Sequence, residues 1–277
     1  MYVTKPVRWL LRIGSFITLA FLYAPLVVIA IYAFNTTRVQ RWPPDGLTLS
    51  WFDKALHNSG ARDALWKSVE VGVVATLIAL VLGTLAAYAL ARFAFFGRSA
   101  ISFLIILPIA LPGIVTGMAL NSTFTQVLGI SLGLLTIVIG HATFCIVVVF
   151  NNVVARLRRT STSFEEASAD LGAKGLQTFR YVVFPQLRSA LVAGALLAFA
   201  LSFDEIIVTT FTAGQRQTLP IWIFANLSRP RQLPIVNVVA VLAIVLSLIP
   251  VWIAQRITAD PVSAGAARGE LGGEAGA

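Results

Sequence analysis

Cysteine is almost missing from this chain: Cys145 stands alone among 277 residues and lies within an apolar run. A single thiol excludes an internal disulfide framework and a clustered thiolate metal site, and leaves packing as its ordinary role. Charge is scarce too, at 12% of residues, with 12 acids against 21 bases. With 57% hydrophobic residues and a mean hydropathy of +0.84, the composition is that of a membrane protein. The +9 net charge does not point to nucleic acid, because the basic residues are scattered between apolar runs and form no continuous patch. Also missing is any G-x-x-x-x-G-K-[ST] phosphate loop, and no long polar segment has room for a nucleotide-binding fold. The chain is therefore not expected to be an ATPase, and nothing in it resembles a catalytic triad, a metal cluster or a cofactor site.

What is present is a series of apolar runs, near 13–34, 69–91, 100–120, 132–154, 189–213 and 235–256. Helices are the open-chain way to satisfy backbone groups in lipid, so the runs predict an all-α membrane protein with six transmembrane helices. One membrane domain would cover 1–256, and the Ala- and Gly-rich tail, 257–277, is expected to be disordered. The first run follows Lys5, Arg8 and Arg12 and spans about 20 residues, longer than the core of a cleaved signal, so it is expected to be retained. In the third run, LPIALPGIVTGMAL, Pro108, Pro112, Gly113 and Gly117 predict a kink or local unwinding, whether for close helix packing or as a gating hinge. Placing both termini in the cytoplasm puts 13 of the 21 basic residues inside, the orientation the positive-inside rule favours. The basic residues of the first outer loop, among them Arg38 and Arg41, run mildly against it.

One polar segment, 155–188, interrupts the pattern on the predicted inner face. It contains EEASADLGAKGLQTFRYVVFPQLR, residues 165–188. Ser163 with Glu166 fits a capping box, predicting a short helix from Phe164. Phe164, Ala167 and Leu171 recur at helical spacing as one apolar stripe, with Glu165, Ser168 and Asp170 off it. Gly172 permits a turn. A second short helix would carry Leu176, Phe179 and Val183 until Pro185 ends it ahead of the fifth span. Two uses fit this pattern: docking of a cytosolic partner, or an amphipathic segment on lipid headgroups helped by Arg156, Arg158, Arg159 and Lys174.

Glu166, Ala167, Ser168, then Gly172 after three residues, Val182 after nine more, and Phe184-Pro185 after one, resemble the EAA loop of bacterial ABC importer permeases. Ser168, Val182 and Phe184 depart from that pattern's Ala, Ile and Leu. The likeness extends to the LP-rich third run and to DEIIVTTFTAGQRQTLPIWIF and RPRQLPIVN, which are similar to PotC-type permeases of spermidine/putrescine importers. The resemblance implies a multi-pass protein of the bacterial cytoplasmic (inner) membrane, a permease subunit for a polyamine or related cationic amine. It implies a second permease subunit, an ATPase dimer that uses ATP and Mg, and an external solute-binding protein. Glu166, Ala167, Ser168, Gly172, Val182, Phe184 and Pro185 would then couple the membrane domain to the ATPase. A permease for another small solute is the nearest alternative, and a secondary transporter a more distant one.

Asp204 and Glu205 fall inside the fifth apolar run, where a charge costs a few kcal/mol unless it faces a cavity or a partner. Adjacent helical residues point about 100° apart, so one of the two is expected to line the outer part of a cation pathway. A salt bridge to Arg216 or to a partner permease is the competing expectation. His141, in the fourth run, is expected to join helices by hydrogen bonds more readily than to relay protons.

Overall fold

The computed structural model describes residues 4–258. The expected tail lies almost wholly outside the described residues. Helices account for nearly all regular structure among them, with a single antiparallel bridge, Asn35 to Leu47, and no sheet. The chain divides into two compact units, 1–63 with 222–246, and 64–221 with 247–277.

In the first unit α1 (Lys5–Ala33) is largely apolar beyond Arg12 and buries only Ala33, as expected of a helix surrounded by lipid. The loop after it is ordered around Trp51, at the start of α2 (Ser50–Leu56). The Trp51 indole donates to the Asn35 carbonyl at 2.8 Å, and the Lys54 ammonium lies 4.3 Å from its ring centre. Further out, Arg41 meets Asp45 at 2.6 Å, a hydrogen bond that holds the exposed Asp45 carboxyl below its ordinary range.

The second unit is built on α6 (Leu134–Arg158), whose buried face runs from Thr136 to Leu157. Lipid tails are as apolar as leucine, so packing between such helices rests on close contact and internal hydrogen bonds more than on exclusion of water. Small residues permit that contact. A Cβ on Gly83 of α3 (Ser59–Arg92) would stand 3.0 Å from the Ile146 carbonyl oxygen, and one on Gly194 of the fifth long helix 3.4 Å from Val149 Cα. Cys145 packs here as expected, its thiol donating to the Ala198 carbonyl at 3.3 Å.

The third run is broken, as its prolines and glycines predict. The α4 helix (Arg98–Ala110) holds Pro108 without interruption; the break falls at Leu111 and Pro112, and α5 (Gly113–Ser122) leaves at 105°. Pro112 directly precedes the first residue of α5, a position where its missing N–H is no loss.

The fifth run differs from expectation at both ends. After α7 (Ser163–Asp170) and a turn, α8 (Gly175–Thr178) continues through one π-turn into α9 (Phe184–Phe203), a continuous 29-residue helix from Gly175. Pro185 therefore does not end the short helix. The wider turn, in which the Phe184 amide bonds to the Phe179 carbonyl, lets the chain pass a proline that offers no donor. At the other end the helix stops at Phe203, not near residue 213, and a six-residue α10 (Ile207–Thr212) follows. The α11 helix (Leu219–Leu227) and α12 (Leu233–Thr258) complete the described chain. Among the described residues four helices are long and apolar enough to span a bilayer, five if the bent pair α4–α5 is counted as one span. The described apolar part of α12, Leu233–Leu248, is shorter.

Candidate functional site

The segment singled out by its polarity is anchored by residues that periodicity alone had placed off its stripe. Glu165 Oε1 accepts from Arg92 Nε at 2.8 Å and lies 2.7 Å from Nη2, while Oε2 accepts from the Tyr88 hydroxyl at 3.1 Å. Tyr88 and Arg92 are one helical turn apart on α3, so both reach the same carboxylate. The pair is shielded, with side chains 12% and 17% exposed. Three residues on, Ser168 meets the buried Thr178 hydroxyl of α8 at 3.1 Å. Arg156, at the end of α6, donates to the Gln186 carbonyl at 2.9 Å and ties the base of the segment to α9.

Glu165, Ser168 and Thr178 turn inward together with Phe179 and Val183, while Glu166, Asp170, Lys174, Gln177 and Arg180 stay outside among several apolar side chains. Phe164, Leu171, Leu176 and Tyr181 are exposed, Leu171 by 89%. Gly172 ends α7 at φ +82°: its amide bonds to the Ala169 carbonyl and that of Ala173 to Ser168, the paired closure of a left-handed helix end. A Cβ there would meet nothing within 4 Å, so backbone conformation, not space, calls for glycine. The expected capping box is not formed. Ser163 is itself the first helical residue, its hydroxyl bonds to that of Ser161, and Thr162 precedes it without a side-chain cap. Glu166 is left exposed.

The second candidate region is the gap between α9 and α10. Thr209 donates to the Glu205 carbonyl at 2.7 Å, so its oxygen accepts from His141 Nε2 at 2.8 Å. Neutral imidazole then accepts at Nδ1, from the Ser202 hydroxyl at 2.7 Å. Ser202, His141, Thr209 and Glu205 thus form one directed chain that staples the end of α9 and the start of α10 to α6. This is the helix-joining role expected of His141. Around it Glu205 Oε1 accepts from the Val208 amide at 2.9 Å, capping α10. Thr136 donates to the Thr212 carbonyl at 2.7 Å, and Asn121 of α5 to the Phe211 carbonyl at 2.6 Å, so each end of the short helix is satisfied. Asp204 is exposed beside this chain. Among the described residues neither acid forms an ion pair with Arg216. They do not sit on a continuous helix, so the 100° argument gives way to a division of labour: Glu205 caps and Asp204 stays free.

Residues 79–259 match the family described as the binding-protein-dependent transport system inner membrane component. The chain belongs to this family. It is a multi-pass transport permease, not an enzyme. The putrescine transport system permease PotI of Escherichia coli is 35% identical over 74% of this chain and 75% of its own length. The spermidine/putrescine transport system permease PotC of Haemophilus influenzae is 34% identical over 88% and 94%. In fold, the permease is similar to a crystal structure of a bacterial ABC transporter involved in import of the acidic polysaccharide alginate. That likeness has a TM-score of 0.67 at 20% identity, over 93% of this chain and 98% of the other.

Within the permease, the predicted coupling residues share one segment but have different surroundings. Glu166, Ala167 and Gly172 are exposed, Ser168 and Val182 half-buried, and Phe184 and Pro185 exposed on the first turn of α9. Val183 and Leu187, the residues beside them, carry the packing into the core. Sequence reasoning missed Tyr88, Arg92, Glu165 and Thr178 as the anchors. Only the helical spacing of Tyr88 and Arg92 offered a signal, because the pairing partner lies 73 residues away.

Proposed function

We propose that the permease forms one half of the membrane pathway of an ATP-driven importer for a polyamine or a related cationic amine. A second permease subunit, a pair of ATPase subunits using ATP and Mg, and an external solute-binding protein would complete it. The observation that carries this reading is the segment 163–181: Glu165 fixes it to α3 and the Ser168–Thr178 bond braces α7 against α8, while Phe164, Leu171, Leu176 and Tyr181 face outward. Large apolar side chains exposed among charged ones on a rigid mount suit a protein groove. Glu166, Ala167, Ser168 and Gly172 shape it, and Val182, Phe184 and Pro185 link it to α9, through which closure of the ATPases would move the gap at 204–206. Six spans with both termini inside is the topology that puts this segment on the cytoplasmic side.

The identities to PotI and PotC support a polyamine as the solute, as does the free Asp204 carboxylate, a group that attracts ammonium cations. The test is uptake of radiolabelled putrescine and spermidine into proteoliposomes that hold the permease with its partner subunits and binding protein. Uptake must require ATP and survive collapse of ion gradients; uptake that follows a gradient without ATP would overturn the reading.

A further inference from the structure

A cavity of about 640 Å³ opens where α3 ends, α4 begins and α6 ends. Its polar lining is Arg92, Arg98, Ser99, Ser102, Asn151 and Arg158, and it contains no acid. Glu165 neutralises Arg92 from one side, but among the described residues Arg98 and Arg158 have no acidic partner. Arg158 is at the C-terminal end of α6, where a cation is favoured by the helix dipole. Arg98 is at the opposite kind of place: it is the first residue of α4, where the dipole disfavours a cation. The residue before it, Gly97, has no side chain to satisfy the first amides of that helix. Two guanidiniums without an acidic partner and two serine hydroxyls around one cavity, at the positive end of α4, are the donor set of a phosphate group. The same positive charge makes the cavity unsuited to passage of a cationic solute.

The chain beside the cavity says which phosphate. Between Arg92 and Arg98 runs Phe-Ala-Phe-Phe-Gly, and Phe93, Phe95 and Phe96 are all exposed. Three phenyl rings in a short turn flanked by arginines match the interface of a bilayer, with rings in the acyl boundary and guanidiniums at headgroup depth. We propose that this cavity binds the headgroup phosphate of an anionic phospholipid in the cytoplasmic leaflet. The leaflet assignment rests on the inner-face placement of α7, which shares Arg92 with the cavity; the lipid chemistry does not.

The test uses the full-length permease in nanodiscs of phosphatidylcholine with a minor fraction of phosphatidylglycerol, and counts retained lipid by native mass spectrometry. One phosphatidylglycerol should survive activation that strips phosphatidylcholine. Retention should fall on the order of 30-fold in Arg98→Gln/Arg158→Gln, from roughly 1 kcal/mol per basic residue. Ser99→Asp is the control for folding, because a carboxylate in the first turn of a helix favours α4 yet repels phosphate; it should lose the lipid with unchanged thermal stability. Retention unaltered in both variants overturns the site. Displacement by inorganic phosphate at millimolar concentration would overturn the lipid assignment in favour of a soluble anion. Both leaflets of a nanodisc contain the lipid, so these results stand apart from the ATP-dependence and topology of transport.

Discussion

Glu165 and Arg92 meet at 2.7 Å in a mostly buried ion pair, and through it the short helix α7 is held against the end of α3. Removing one member of such a pair strands the other's charge, whereas removing both leaves neither unpaired. Glu165→Gln should therefore destabilise the segment by on the order of 2 kcal/mol, seen as faster proteolysis between Arg156 and Arg188. In the assembled transporter it should raise ATP hydrolysed per solute imported. Arg92→Gln/Glu165→Gln should recover part of the protection; no recovery would mean that the pair does not act as a unit.

Gly172 yields a sharper test than its exposure suggests. A side chain there would touch nothing, so the cost lies in the left-handed backbone alone, about 1–2 kcal/mol for a residue with a Cβ. Asparagine tolerates that conformation and valine does not. Gly172→Asn should keep ATP-dependent uptake, and Gly172→Val should lose most of it. Gly172→Trp should assemble yet fail to couple hydrolysis to uptake, because its bulk would obstruct a docked partner. Normal coupled transport by the tryptophan variant would refute the docking role.

The helices and the break in the third run were legible because lipid imposes simple rules: apolar length reads as a span, and a Pro-Gly pair as an interruption. The turn at Gly172 was legible for a similar local reason. The anchoring of the segment was not. Ser163 and Glu166 have the spacing of a capping box, but spacing cannot tell that Ser163 begins the helix itself, nor that Glu165 is the glutamate with a distant partner. Pro185 misled because a π-turn one step earlier lets the helix run on. At Asp204 and Glu205 an unbroken apolar run hid a helix end, since the sequence shows the greasy residues and not the three hydroxyls and one imidazole that stabilise the gap.

Those two acids should part company on substitution. Glu205 Oε1 receives the Val208 amide, and glutamine keeps an oxygen able to do so, so Glu205→Gln should leave stability near that of the parent. Glu205→Ala should lose about 0.5–2 kcal/mol, as for other lost helix caps. Asp204→Asn should not alter thermal stability but should lower uptake of a polyamine, raising the half-saturating concentration. Unchanged uptake by Asp204→Asn in an assembled transporter would remove Asp204 from the cation path.

His141 joins Ser202 of α9 to Thr209 of α10 across the gap, with every hydrogen bond in the chain directed one way. Replacement by leucine leaves the buried Ser202 hydroxyl without its acceptor, while Thr209, also buried, keeps its bond to the Glu205 carbonyl. A buried polar group left unpaired costs about 1–3 kcal/mol, so His141→Leu should lower the unfolding temperature of the permease in detergent markedly. Glutamine reaches only one of the two hydroxyls in good geometry and should fall between histidine and leucine. The decisive variant is His141→Leu/Ser202→Ala, which removes the stranded hydroxyl as well and keeps the Thr209–Glu205 bond. If the imidazole and Ser202 act as a unit, this double change should be more stable than His141→Leu alone, although it deletes more native contacts. It should nonetheless import poorly, because the imidazole no longer ties the end of α9 to α10 beside Asp204. A double variant less stable than the single one would show that the Ser202 hydroxyl acts independently of the imidazole.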